Sequence, residues 1–443
     1  MKTFIKKFVL AATGAAVLGG LAGTAQAANW LMLQGTERPG QGPRAKVWGF
    51  IQPEYQSTSD TKLKAGPWSG QKMQANQVRP DLKTNSGFNL IRARVGVRGI
   101  AMPLDSNVNY FFLAEFGNNG ITRQGGGSVK LTDASVTFNH LKGARVRVGT
   151  FKTPGADEGL QAIHVFDYIN FTNVTNQLLL ERFFDGDGSG VCTSASCANR
   201  PNGPVSAFRD TGIQIFEAFR VGSWEHSYAV MYGNGNGITR GDNDQNKETY
   251  LYLSTEWIFG GRGARRQGWK MFAWSQSGKR TLTSTGAGEY DRKRVGFGTT
   301  FRKGKHRAAF EYIKADGMIF NGTDGGAVAG AQNNAGTAYA TYNVATDGEA
   351  NGWYLHYGFA PTAKWEFDVR YDVLNRLTND ANAERKFSTA TLGVQYFFNK
   401  KTRAIFNYEA RKAEAPNLSS TAAPNQILDS MDNRISAQVL AIF

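Results

Sequence analysis

The sequence predicts an all-β chain: a transmembrane antiparallel β-barrel of about sixteen strands, with a long loop after the fifth strand folded inward. Three observations carry this. Apolar and polar residues alternate with period two almost throughout, while the 3.6-residue helical period is nearly absent. Short and long connections alternate between these segments, as they do when one end of a barrel bears turns and the other bears loops. The chain ends on Ile435, Ala437, Val439, Ala441 and Phe443, an alternating segment closed by an aromatic residue.

Composition narrows the alternatives. The 443 residues include 52 glycines and 41% hydrophobic residues, with 51 Lys or Arg against 36 Asp or Glu and a net charge of +15. A helical membrane protein needs repeated apolar runs of about 20 residues, which are missing. A disordered chain would lack this much apolar surface. Two cysteines make neither a disulfide scaffold nor a four-cysteine zinc site.

The elements follow in order. Residues 1–27 read as a secretory signal: Lys2, Lys6 and Lys7, then an apolar run of small residues from Phe8 to Gly23, then Ala25-Gln26-Ala27 as a cleavage site. Export makes nucleic-acid binding a poor explanation of the positive charge. Residues 28–44 are expected to form an N-terminal periplasmic segment and 45–443 the barrel. Strands are expected at 45–57, 88–102, 107–117, 129–140, 144–154, 209–221, 224–234, 249–259, 268–283, 289–302, 305–315, 350–360, 364–375, 385–398, 403–413 and 431–443. These lengths suit strands that cross a bilayer at a tilt, which takes about 9–11 residues.

One hairpin shows the logic. Trp353, Leu355, Tyr357 and Phe359 share a face that continues, past a turn at Pro361, with Trp365, Phe367, Val369, Tyr371 and Val373. Lys364, Glu366, Asp368, Arg370 and Asp372 occupy the other face. Lipid suits the oily side, and a sheet in lipid must close so that no backbone group is left unpaired. Tyr110, Phe138, Phe359, Trp365 and Phe398 lie near turns, where an aromatic girdle belongs. A water-soluble sandwich is the competing fold, but it requires neither so many long strands nor so many charges on their inner faces.

A charge facing lipid at mid-membrane costs about 2–4 kcal/mol, so charged faces are assigned to the lumen. The same phase places Arg92, Arg94, Arg98, Arg145, Arg147, Arg292, Arg294, Arg302, Arg307, Lys364, Arg370, Arg403, Arg411 and Arg434 inside. Luminal acids are fewer: Glu115, Asp133, Glu311, Glu366, Asp368, Asp372 and Glu409. A wall of this kind lowers the energy of an anion in a confined aqueous path. The seven arginines Arg92, Arg94, Arg98, Arg145, Arg147, Arg292 and Arg294 are the expected anion wall. The bland alternative is that they pair with luminal acids and solubilise the interior.

The 155–208 loop is the expected constriction. Its acids Asp157, Glu158, Asp167, Glu181, Asp185 and Asp187 outnumber its bases Arg182 and Arg200, and it has no lysine. Its aromatics Phe166, Tyr168, Phe171, Phe183 and Phe184 suit packing against the wall. Cys192 and Cys197 lie in the loop and are expected to form a small disulfide in an oxidising compartment. Asp185 to Gly190 opens like a calcium loop, but Ser196 stands where a bidentate glutamate belongs, so no metal site is assigned. The sequence contains no HExxH, G-x-S-x-G or phosphate-loop motif, and neither catalysis nor a cofactor is called for.

Several motifs carry a family resemblance. Ile91 to Gly99 (IRARVGVRG), Leu131 to Ala134 (LTDA), and Arg145 to Pro154 (RVRVGTFKTP) with Glu158 resemble the phosphate-selective porin O and P family. Tyr232 to Gly237 (YGNGNG) is similar to porins more broadly. The resemblance implies a homotrimeric, water-filled channel that passes anions through a narrow waist in a bacterial outer membrane. Gly155 departs from the family, which tends to an aromatic residue there, and the family's waist lysines have no counterpart in the loop. The expectation is therefore an outer-membrane porin for passive diffusion of small hydrophilic solutes, preferring anions, with phosphate among the candidates. The partners expected are lipid, these solutes and two further copies of the chain. The alternatives are a general diffusion porin and, from another class, a barrel enzyme such as an outer-membrane lipase.

Overall fold

The computed structural model describes residues 29–33, 36–37, 42–78, 85–101, 103–119, 129–180, 208–238, 241–242, 244–261, 265–282, 288–321, 332–339 and 344–443. The expected signal segment, Glu181, Asp185, Asp187, Cys192 and Cys197 lie outside them.

The strands close into one antiparallel barrel in which each pairs with its neighbours in sequence. In chain order they are β1 Lys46–Thr58, β2 Ser86–Ala101, β3 Asp105–Glu115, β4 Lys130–Leu141, β5 Ala144–Lys152, β6 Arg209–Val221, β7 Trp224–Gly233 and β8 Glu248–Gly260. They continue with β9 Gln267–Leu282, β10 Gly288–Lys303, β11 His306–Asp316, β12 Glu349–Phe359, β13 Trp365–Arg376, β14 Arg385–Phe397, β15 Thr402–Glu414 and β16 Arg434–Ile442. The sixteen strands agree with the expected number and order. A two-stranded ribbon, Ile319–Phe320 with Val344–Ala345, sits in the loop after β11 and was not expected.

Closure is made by β1 and β16, paired from Phe50 with Ile442 to Thr58 with Arg434. The terminal residue completes the seam: Phe443 N donates to Gly49 O at 3.0 Å and Gly49 N donates to Phe443 O at 3.3 Å. No edge is left, which is what a sheet surrounded by hydrocarbon requires.

The period-two pattern divides the faces as expected. Leu355, Phe367, Val369, Leu392 and Phe406 are exposed on the outside, whereas Glu366, Asp368, Arg370 and Asp372 are buried inside. Near the short turns, Trp365 packs at a tilt on Tyr396, Tyr396 meets Phe398 edge-on, and Trp224 stacks on Trp257, forming a girdle. Lys364 departs from the expected phase: it sits in the turn before β13 and is exposed.

The interior is asymmetric. Phe216 and Ala218 of β6, Ala229 of β7, Tyr252 of β8, Phe272 and Trp274 of β9, Ile313 of β11, Tyr354 of β12 and Leu374 of β13 form an apolar wall inside the barrel. Against it lie Leu160, Val174, Leu178, Leu179 and Leu180 of the loop after β5. A loop that brings its own leucines to an apolar wall folds inward for the same reason that a core forms.

Of the described part of the segment 28–44, expected in the periplasm, Trp30–Leu33 packs inside the barrel, whereas Pro43 and Arg44 are exposed. A single helical turn, α1 Trp30–Leu33, lies against β6, with Leu31 in the same apolar cluster as the loop.

Candidate channel constriction

The loop enters the lumen directly after Lys152, the last residue of β5. A short helix, α2 Asp157–Leu160, comes first. The Lys152 ammonium donates to the carbonyls of Gly159 at 2.9 Å and Gln161 at 2.5 Å, neutralising the carbonyl end of that turn. At its other end the Asp157 amide donates to the Glu311 carboxylate at 3.1 Å. Glu311 also accepts from Trp274 Nε1 and from the Tyr354 hydroxyl, each at 2.8 Å.

A second helix, α3 Asn173–Leu178, is capped by Thr172, whose hydroxyl accepts from Thr175 N at 3.3 Å. That same hydroxyl donates to Glu158 at 2.6 Å, joining the two helices. Asn173 donates to Asp372 and Thr389 at 2.8 and 2.9 Å. The Ile169 amide donates to Asn407 at 2.8 Å. Phe166 packs on Phe171, Phe171 on Phe208 and Tyr168 on His356, so these loop aromatics do the packing expected of them.

Among the described loop acids, Asp157, Glu158 and Asp167 are each engaged by bases of the wall that the loop lies on. Asp157 pairs with Lys270 at 2.6 Å and Glu158 with Arg370 at 3.0 Å. Asp167 is clasped by Arg307, with Arg265 at 3.5 Å and Arg403 at 3.9 Å. Burial alone would raise the Asp167 carboxyl, but Arg307 and then Arg265 hold it well below the usual carboxylate range. Arg403 also donates to Phe166 O at 2.5 Å. The field needed to bind the loop thus comes from the wall it lies on.

The expected anion wall separates into groups. Arg92 and Arg94 of β2 face the loop: Arg92 donates to Gln52 at 3.2 Å and Arg94 pairs with Glu115 at 2.8 Å. Arg98 pairs with Glu37 at 2.5 Å and donates to Thr36 O at 2.9 Å. Arg145 pairs with Glu217 at 3.1 Å and donates to Asn139 at 2.7 Å. Arg147 lies over the rings of Phe216 and Phe151. Arg292 and Arg294 are placed differently. Arg292 is shut in with Glu248 at 2.6 Å and Gln276 at 3.1 Å. Arg294 donates to the carbonyls of Leu178, Lys293, Asp316, Gly317 and Met318. It ties the end of α3 to the loop after β11, and only 1% of its surface is exposed.

Two bases at the waist escaped the sequence reading. Arg209 opens β6 and pairs in register with Lys152; its guanidinium meets Asp133 at 3.0 Å. The signal was available, since these are the strand residues that flank the long loop. Arg92, Arg94, Lys152 and Arg209 together with Glu158, Gln161 and Phe171 line a gap of about 20 Å³, room for about one water. Toward the short turns it gives way to a chamber of about 130 Å³ lined by Asp157, Asp167, Lys270, Arg302, Arg307 and Tyr354 among others.

The glycines of Tyr232–Gly237 also gain a physical reading. Gly235 has φ +82°, and a Cβ there would stand 2.9 Å from Arg280 Nη1. Its amide donates to the buried Asp210 at 2.7 Å. The run lets backbone pass close to the Arg280–Glu248–Arg292 cluster, held at 2.6 Å on each side.

With a closed barrel, a lipid-facing belt and an occluding loop described, comparison with solved structures becomes informative. The outer membrane channel DcaP of Acinetobacter baumannii matches with a TM-score of 0.51 at 12% identity, covering 93% of this chain and 100% of that one. OmpF of Salmonella typhi, solved in complex with daunomycin, matches with a TM-score of 0.52 at 13% identity over 90% of this chain and 97% of that one. A loop L8 deletion mutant of OmpT, an outer membrane protein of Vibrio cholerae, gives 0.50 at 11% identity over 91% and 99%. The chain has the fold of an outer-membrane channel. No protein-family model matches the sequence, and no curated protein matches it.

Proposed function

We propose that the protein is a porin that lets small hydrophilic solutes cross the bacterial outer membrane passively and favours anions at its waist. The supporting observation is the juxtaposition of Arg92, Arg94, Lys152 and Arg209, against the single acid Glu158, around a gap of about 20 Å³ beside the loop. Basic groups held in a confined aqueous path attract anions and repel cations. The anion wall is accordingly Arg92 and Arg94, joined by Arg209, with Arg98, Arg145 and Arg147 further along the lumen. Arg292 and Arg294 serve as anchors of the loops. Phosphate is the candidate solute suggested by the resemblance of IRARVGVRG and RVRVGTFKTP to the phosphate-selective porin O and P family, and the homotrimer rests on that resemblance too. The processed chain starts after Ala27.

A general diffusion porin is the second reading, favoured by the pairing of Arg94 with Glu115 and Arg209 with Asp133. The reversal potential of the refolded protein in a planar bilayer under a salt gradient separates the two. A potential of the sign set by anion flux supports the first; a potential near zero supports the second. Hydrolysis of an ester or phospholipid by a non-conducting protein would instead support a barrel enzyme.

A further inference from the structure

We infer that the N-terminal arm around Trp30–Leu33 is an internal plug of the channel, seated in the mouth on the short-turn side and displaceable from it. This rests on reading the protein as a channel. The arm is locally built for the position. Met32 N donates to Asn29 O at 2.9 Å and Leu31 N to Asn29 Oδ1 at 3.1 Å, folding the chain into one compact turn. The turn leaves 2% of Leu31 and 8% of Met32 exposed. Both belong to the apolar cluster that includes the lumen-facing Phe216, Ala218 and Trp274. Asn29 and Trp30 project to the chamber that Arg266, Lys270, Arg307 and Tyr354 line from the opposite strands. The arm thus lies between β6 and β8–β12 in the path a solute must take.

The other end of the arm meets the charge that attracts anions. Glu37 pairs with Arg98 at 2.5 Å, and its amide donates to Asn109 of β3 at 3.0 Å. Thr36 O accepts a further bond from Arg98 at 2.9 Å. While the arm is seated, a carboxylate neutralises one arginine of the wall. Its withdrawal therefore does two things at once: it widens the mouth and removes the Glu37 carboxylate from beside Arg98.

The attachment is also of the reversible kind. Among the described residues, the arm is held by its buried turn, the Glu37–Arg98 pair and the bonds of Thr36 O to Arg98 and of the Glu37 amide to Asn109, whereas the strands around it share continuous hydrogen-bonded ladders. Segments with few such bonds open well below the free energy that unfolds the whole molecule.

The test compares the refolded chain beginning at Ala28 with one beginning at Arg38, both assayed in planar bilayers under a salt gradient. A full-length variant carrying Leu31→Asp and Met32→Asp makes the same comparison without shortening the chain. Heat-modifiable gel mobility identifies folded barrels. The plug predicts single-channel conductance higher by about twofold or more in the shortened chain and the double variant, together with a shift toward anions. A synthetic peptide of residues 28–37, added from the short-turn side, should reverse both changes. Equal conductance and equal selectivity in all folded forms overturn the plug and leave the channel standing. Silence of every folded form overturns the channel reading, and the plug with it.

Discussion

Asp157 and Glu311, two acids, meet through a backbone amide: Asp157 N donates to the Glu311 carboxylate at 3.1 Å. The side chain of Asp157 is thereby free to pair with Lys270 at 2.6 Å, so one residue ties the loop to both β11 and β9. Glu311→Ala leaves the Asp157 amide, Trp274 Nε1 and the Tyr354 hydroxyl without their shared acceptor. Each buried donor left unpaired costs about 1–3 kcal/mol. The expected result is a melting temperature in detergent several degrees lower, with noisier conductance as the loop loosens. Glu311→Gln, which keeps an acceptor oxygen, should lose less.

Arginines alike in sequence should behave differently when replaced. Arg92→Glu with Arg94→Glu reverses charge at the waist and should lower the anion-to-cation permeability ratio by about threefold or more. Arg294→Leu should leave selectivity nearly unchanged yet lower thermal stability, since five carbonyls lose their donor. Reversal potentials and melting curves of the same preparations check both. Equal selectivity shifts from the two sets would return Arg294 to the wall.

The contrast also marks what the sequence could disclose. Strand phase is a local property, so Leu355 and Arg370 were assigned to their faces from spacing alone, and Phe443 ended the last alternating segment. Which luminal arginine meets water depends on where the loop lies down. Arg294 was indistinguishable from Arg94 in phase, but Leu178 descends onto one and not the other. The apolar luminal wall was hidden because Phe216 and Tyr252 read like ordinary strand residues. The arm from Asn29 to Glu37 was placed outside because nothing local marks Leu31 as a partner of β6. Long-range packing, not period, decided those positions.

Val369, midway along β13 and 47% exposed on the outer face, offers a test of the lipid belt. Val369→Arg places a guanidinium in hydrocarbon and should cost about 2–4 kcal/mol near the midplane. Thr391→Arg, on the buried inner face of β14, meets the lumen and should be tolerated better if the loop can shift. Folding titrations in lipid bilayers measure both. A smaller penalty at Val369 than at Thr391 would invert the assigned faces.

His164 sets a pH dependence. It lies in the constriction loop against the rings of Trp48 and Phe50. Burial, then Arg403, Lys152 and Arg94, lower it from 6.5 to about 3. Arg403 also donates to the His164 carbonyl at 3.3 Å, so a proton on the ring would meet a guanidinium already in place. Between pH 6.5 and 3 the unfolded chain binds this proton and the folded chain does not. Stability from this site is therefore fully present above pH 6.5 and falls on acidification, by up to about 1.4 kcal/mol per pH unit. Asp167, held low by Arg307 and Arg265 against its burial, adds a loss of the same sign, but only as pH falls through the carboxylate range. Melting temperatures of the refolded barrel should accordingly drop from pH 7.5 to 4.5, and His164→Phe should reduce that slope. An unaltered slope in the variant would assign the pH dependence to other groups.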